Sequence, residues 1–260
     1  MMKRSVRTFA LCIAFSLSAL SGTIARADEK GDKILRKAFS KLFASKSMSA
    51  DITKTIMGDQ LPSEGIILKG TVSALKPNYL RVEFKGDQQI GNLSFVFVSN
   101  GTNYFDYSSS TKQYSKSKVS LTPTEFAGMW EGEIEAFFGG DQNALKVKTD
   151  YEGEELYNKI PCEIVKTESK GTNNVTRAIT YTIGKKDSII YKAVFPEGNP
   201  DESSISHTNV LTNIRLMATK TPADFTYKPP TGATLRKPPP PPLDRAELKS
   251  SSRPSRLVRR

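Results

Sequence analysis

The feature that most constrains the fold of this chain is a period-two alternation of apolar and polar residues in short segments. Across residues 79–85, Leu80, Val82 and Phe84 occupy every second position, so their side chains lie on one face of an extended strand. Hairpin-length spacing separates successive segments, which favours an antiparallel meander over β-α-β units. Such segments cover residues 50–57, 65–75, 79–85, 93–99, 102–107, 146–151, 161–167, 178–183, 189–195 and 207–216.

Two segments have a helical period instead. Residues 32–44 carry one apolar stripe with lysines opposite, which predicts an amphipathic helix. Residues 122–138 open with a capping box and a proline at the first helical position, and Gly139-Gly140 follows them. This pattern alone favours a helix packed on a sheet over a lid above an apolar hollow.

The first 27 residues have the pattern of an export signal. A basic start precedes the apolar run Phe9–Leu20, and Ala25-Arg26-Ala27 supplies small residues for cleavage. We expect cleavage after Ala27 and a periplasmic protein with one folded domain at 28–234. Cys162 is then the one cysteine left, and we expect a small buried hydrophobe there rather than a reactive thiol.

The net charge of +11 is concentrated at the two ends of the chain. Residues 28–234 hold 26 basic and 25 acidic side chains, whereas residues 235–260 hold eight basic and two acidic ones. A neutral domain lacks the basic face that nucleic-acid binding requires. We expect 235–260 to be a Pro-rich, basic, disordered tail. Its alternative role is binding to an anionic membrane surface through Arg253, Arg256, Arg259 and Arg260.

Patterns that carry catalytic or metal chemistry are missing. His207 is the only histidine, and no spacing of His, Cys and carboxylates resembles a metal site. Neither a nucleophile elbow nor a phosphate-binding Gly-rich loop occurs. We therefore expect a monomeric binding protein with no cofactor and no enzymatic activity.

Four stretches resemble the LolA family and its LolA/LolB-superfamily relatives. They are Gly70–Asn78, Val98–Tyr107, Tyr181–Phe195 and Ala223–Gly232, the last reading ADFTYKPPTG. The resemblance spans roughly residues 32–233. It implies an open, strongly curved antiparallel half-barrel with an N-terminal helix, and a lid helix over an apolar cavity that holds the acyl chains of a lipoprotein or lipid.

The resemblance also implies candidate site residues. We expect the cavity to be lined by Val72, Leu80, Val82, Phe84, Phe95, Phe97, Phe105 and Tyr107, and the lid to present Phe126, Met129, Trp130 and Phe137. For each of these residues taken alone, an ordinary place in the core is the alternative, because a cavity lining and a solid core look the same in sequence.

One residue carries a role over from the family. The basic residue before the Pro-Asn dipeptide, Lys76 here, corresponds to an arginine that bonds lid backbone groups and couples opening to cargo binding. Lysine lacks the planar donor fork of arginine, so weaker coupling is expected. A solvent-exposed lysine before a turn is the alternative.

The function implied is a periplasmic carrier or chaperone that transfers lipoproteins or lipids between envelope membranes. The alternatives are a regulatory module that senses lipids or lipoproteins, and a structural envelope protein with a filled barrel.

Overall fold

The computed structural model describes residues 28–59, 61–86, 91, 93–118, 132–139, 147–170, 176–196 and 205–236. The expected export signal, the start of the expected second helix and the basic tail lie outside these ranges. The described part contains helices α1 (Glu29–Ala44) and α2 (Gly132–Gly139) and a 3-10 turn at Pro222–Phe225. No described helix is both long enough and apolar enough to cross a membrane.

Twelve described strands form one sheet. They are β1 (Ser47–Met57), β2 (Ile66–Leu75), β3 (Tyr79–Gly86), β4 (Ser94–Asn100), β5 (Asn103–Ser108), β6 (Gln113–Lys118), β7 (Lys148–Tyr157), β8 (Ile160–Lys170), β9 (Thr176–Gly184), β10 (Ile190–Pro196), β11 (Ser206–Leu216) and β12 (Thr234–Leu235).

The sheet consists of two meanders joined side by side. Strands β1 to β6 follow one another, strands β11 back to β7 do the same, and antiparallel pairing of β1 with β11 links the two groups. Among the described strands, only β12 pairs in parallel, on the outer side of β6. The expected open, curved, mainly antiparallel sheet is confirmed.

Helix α1 forms where the apolar stripe predicted it, but it begins three residues earlier. The Asp28 side chain accepts a hydrogen bond from the backbone of Lys30 and caps the first turn. Leu35, Ala38, Phe39 and Leu42 are buried against the sheet. These positions share one face of the helix, so α1 defines the inner face of the sheet.

The expected hairpin at Asn100-Gly101 is confirmed, although its turn differs in detail. Ser99 pairs with Tyr104, and Gly101 and Thr102 connect the strands in place of Asn100 and Gly101. Gly101 has φ of 86°, and the Asn100 side chain accepts hydrogen bonds from the backbone of Thr102 and Asn103. The side-chain acceptor takes the place of a second left-handed residue.

Strands β2 and β3 approach each other very closely at Gly70. A Cβ atom added to Gly70 of β2 would lie 1.7 Å from the backbone oxygen of Glu83 in β3. No side chain fits at that position, and glycine in a strand interior is typical of such bends. This contact lies next to the apolar row described below.

Candidate functional site

The inner face of β2 to β4 is mostly apolar. Val72 pairs with Val82, and Val82 pairs with Phe97, so the three side chains form one row across the sheet. Leu80 and Phe84 lie two residues away from Val82 on the same face. The sheet thus brings together six of the eight expected cavity residues, which are Val72, Leu80, Val82, Phe84, Phe95 and Phe97.

Burial changes along this inner face. Val72 and Leu80 have 0% of their surface exposed. Phe84, Phe95 and Phe97 are half-buried. The apolar face therefore continues from the closed core under the helices to rings that remain partly accessible.

The other two expected cavity residues lie on the outer face. Phe97 pairs with Asp106, which places Asp106 on the inner face and its neighbours Phe105 and Tyr107 on the outer one. Alternation within one strand predicts which residues share a face, but the loop before the strand decides which face that is. Phe105 and Tyr107 therefore do not belong to the apolar row on the inner face.

The C-terminal segment covers that outer face. Phe225 is fully buried against the ring of Tyr79, with 5.6 Å between ring centroids. Tyr227 stacks on Phe105 at 4.9 Å, and β12 then pairs with β6. The stretch ADFTYKPPTG therefore builds a strap over the outside of the sheet, and the apolar residues there belong to the strap's packing.

Helix α1 is held at its N-terminal end by the edge of the sheet. The backbone nitrogen of Asp28 donates to the backbone oxygen of Thr149 at 2.9 Å, and the Asp28 carboxylate accepts from the nitrogen of Tyr151 at 3.0 Å. The Lys30 ammonium lies 3.5 Å from the centroid of the Tyr151 ring. The first turn of α1 is thus fastened to edge strand β7.

Lys76 contacts the opposite end of the helix. Its ammonium donates to the main-chain oxygen of Phe43 in the last turn of α1. It also lies 3.8 Å from the ring centroid of Phe43 and 5.1 Å from that of Phe137 in α2. Partial burial lowers the pKa of Lys76 below its ordinary value. One cation therefore faces both helices that lie on the inner face.

The expected lid residues are only partly described. Phe137 in α2 is fully buried and packs edge-on against Phe138, and Ile134 and Ala136 of the same helix are buried. Phe126, Met129 and Trp130 lie outside the described residues. Helix α2 packs on α1, and the two helices cover the inner face where α1 contacts β7 to β9 and α2 contacts β10.

Sequence reasoning missed Asp28 and Phe43 as parts of this site. Asp28 directly precedes the helix and has the side chain of an N-cap, so a signal for it was present. Phe43 contributes its backbone oxygen, which any residue would supply. No sequence pattern could identify it.

The remaining reactive side chains do not converge. The His207 ring stacks on Phe195 with 4.4 Å between centroids, and Cys162 is buried. Among the described residues, no group of three or more His, Cys, Asp or Glu side chains could hold a metal ion.

No protein-family model and no curated protein matches the chain. Several solved structures do match this chain. An uncharacterised conserved protein of Thermus thermophilus is 17% identical, over 80% of this chain and 99% of its own, with a TM-score of 0.49. The lipoprotein LppX of Mycobacterium tuberculosis is 14% identical, over 72% and 96%, with a TM-score of 0.47. A LolA superfamily protein of Nitrosomonas europaea is 11% identical, over 76% and 97%, with a TM-score of 0.36. Solved structures similar to this chain thus include a LolA superfamily protein.

Proposed function

We propose that the inner face of this sheet binds the acyl chains of a lipoprotein or lipid, and that the protein carries this cargo between envelope membranes. The observation that supports the proposal best is the continuity of the apolar row. It runs from Val82 under the helices to the half-exposed rings of Phe84 and Phe97.

The energetics favour such a carrier for acyl chains. Each methylene group removed from water contributes about 0.8 kcal/mol, so a long acyl anchor does not cross an aqueous compartment unaided. An apolar face covered by two helices can exchange helix contacts for acyl contacts without exposing itself to water. The expected export signal at residues 1–27 supports a location outside the cytoplasm.

Lys76 is the residue best placed to couple cargo binding to the helices. Its contacts with Phe43 and Phe137 link α1 and α2 to the turn between β2 and β3. Displacement of either helix by an acyl chain would break these contacts. These contacts support the coupling role that the resemblance implies for this position.

A pair of neighbouring residues tests the proposal. In β4, Phe95 faces the inner side and Val96 the outer side, and both are half-buried. Phe95→Glu is expected to abolish binding of a dansyl-labelled fatty acid to chain 28–260. Val96→Glu is the matched control and should retain it. Native mass spectrometry of wild-type protein purified without detergent should show a co-purifying acylated mass.

A second candidate is a structural envelope protein with a filled barrel. The complete burial of Val72, Leu80 and Phe137 favours it, because no space remains around these side chains. A clean unliganded mass together with no fatty-acid binding by the wild type would overturn the carrier proposal and leave this one.

We also propose that the basic end of the chain holds the carrier near anionic lipid. Residues 237–260 contain seven basic and two acidic side chains, and each basic residue near an anionic membrane contributes about 1 kcal/mol. Deleting 237–260 should weaken sedimentation with phosphatidylglycerol vesicles while leaving fatty-acid binding intact. Unchanged sedimentation would exclude this role of the tail.

A further inference from the structure

The outer face of the sheet, opposite α1 and α2, contains an open pocket with a volume of about 540 Å³. It lies over strands β1, β2 and β11, and its lining is mostly hydroxyl, amide and charged groups. The polar and charged side chains of the lining include Ser49, Asp51, Ser73, Asn213, Arg215 and Lys220.

Strand register brings three of these side chains into one row. Ser49 of β1 pairs with Arg215 of β11 on one side and with Ser73 of β2 on the other. Neighbouring strands lie about 4.8 Å apart, and paired side chains point to the same face. A guanidinium group and two hydroxyl groups therefore stand side by side at the floor of the pocket.

A bulge in β11 adds an amide to this row. The register of β1 against β11 shifts between Ser49 and Asp51, and Asn213 adopts a left-handed φ of 51°. Its side-chain nitrogen donates to the Asp51 carboxylate at 2.6 Å. Bulges re-aim side chains in this way, and here Asn213 and Arg215 both line the pocket.

The segment after β11 supplies the second cation. Met217 has a left-handed φ of 60°, and its nitrogen donates to the oxygen of Ser47 at 2.8 Å. The Ser47 hydroxyl donates to the oxygen of Ala218. These two bonds hold the chain against the start of β1, which allows Lys220 to lie at the pocket.

The charges of the pocket are not balanced internally. In the described part of the chain, neither Arg215 nor Lys220 makes an ion pair or a side-chain hydrogen bond. Asp51 is the one carboxylate among the described lining residues, and the Asn213 amide engages it. Two cations with free donors beside a pair of serine hydroxyls are the groups that proteins use for phosphate.

We propose that this pocket binds the phosphate group of a phosphorylated ligand, with Arg215 and Lys220 as its cationic contacts. A free phosphate compound and the headgroup of an anionic lipid both carry such a group, and the recognised chemistry is the same. The inference does not rest on the proposed carrier function, because the pocket lies on the other face of the sheet from the apolar row.

The test compares two double variants that remove equal charge. Lys69 and Lys85 lie directly opposite each other on the outer face of β2 and β3, outside the pocket. Chain 28–260 is titrated with inorganic phosphate and with glycerol 3-phosphate by calorimetry. Arg215→Ala/Lys220→Ala should weaken the binding of both phosphate compounds by at least about tenfold, because charge-assisted hydrogen bonds are lost. Lys69→Ala/Lys85→Ala should bind like the wild type.

Vesicles distinguish the two sources of phosphate. Phosphatidylcholine vesicles with and without phosphatidylglycerol are offered to each variant, and residues 237–260 remain in all of them. The tail contributes equally in every variant, so a decrease of phosphatidylglycerol-dependent binding only in the Arg215/Lys220 variant indicates a headgroup. Saturable binding of the soluble phosphates without such a loss indicates a free compound. Both results support the pocket.

Two results would overturn the proposal. In one, the wild type does not bind the soluble phosphates, and the Arg215/Lys220 variant binds phosphatidylglycerol vesicles as well as the wild type does. In the other, both double variants lose binding equally, which indicates general surface charge. Melting temperatures of both variants near that of the wild type show that the comparison concerns folded protein. Fatty-acid binding is measured alongside, so that failure of the carrier proposal is recorded separately.

Discussion

The ammonium group of Lys76 donates to the backbone oxygen of Phe43 and lies 3.8 Å from the centroid of the same residue's ring. The last carbonyl groups of a helix have no partner within the helix, and a cation at that end also interacts favourably with the helix dipole. A side chain from the β2–β3 turn thus caps the helix that covers the inner face.

Replacing Lys76 with methionine should loosen this end of α1. We expect a loss of about 1 kcal/mol in the free energy of unfolding, because one charge-assisted bond at a partly exposed site is removed. Amide exchange in the last turn of α1 should accelerate, and exchange at its N-terminal turn should not. Lys69→Met, on the outer face of β2, is the control. Unchanged exchange near Phe43 would contradict the capping role.

Asp28 fastens the other end of α1 through its bonds to Lys30 and Tyr151. Asp28→Ala should reduce the free energy of unfolding by about 1–2 kcal/mol, the upper range for an N-cap, since a sheet contact is lost with it. Asp28→Asn keeps one of the two acceptor oxygens that these bonds use, so it should recover only part of the loss. Urea unfolding of both variants measures this. Equal losses would contradict the contribution of the N-cap bond, which asparagine can keep.

Phe225 holds the C-terminal strap to the outer face. Its ring is fully buried beside Tyr79, and we expect Phe225→Ala to cost about 3 kcal/mol or more through the cavity it leaves. Leu156→Ala is the control, because 75% of the Leu156 surface is exposed, and should cost little. Urea unfolding again provides the measurement. If the two variants are equally stable, the strap does not contribute to the domain's stability.

Cys162 reports on unfolding. The residue is buried, and burial raises the pKa of its thiol above the ordinary value. Thiolate is the reactive form, so at mildly alkaline pH the native protein should react with a chromogenic disulfide far more slowly than the urea-unfolded protein. The native rate should begin to rise only at a higher pH than for free cysteine. Equal native and unfolded rates would mean that the site is open.

Much of this fold could be predicted because its elements are locally encoded. The apolar stripe of 32–44 became α1, and the alternation at Leu80, Val82 and Phe84 became the inner side of β3. Strand β6 was not predicted. Its sequence, QYSKSK, has no apolar alternation, and it is a strand because β5 and β12 pair with it on either side.

The candidate site was predicted in composition but not in arrangement. Phe105 and Tyr107 looked equivalent to Phe95 and Phe97, since each pair alternates within its own strand. In the register of β4 with β5, Phe97 pairs with Asp106, which places the two pairs on opposite faces. The phosphate pocket had no sequence signal, because it depends on the pairing of Ser49 with Arg215, two residues far apart in the chain.

The sequence by itself determined where most of the helices and strands form and which residues share a face within each, because these properties depend on neighbours a few positions away. Only the tertiary structure decided that β1 joins β11, which face each strand turns inward, and that Lys76 meets α1. Those relationships come from long-range pairing and packing, whose energies depend on the whole sheet. They do not produce a periodic pattern in the sequence.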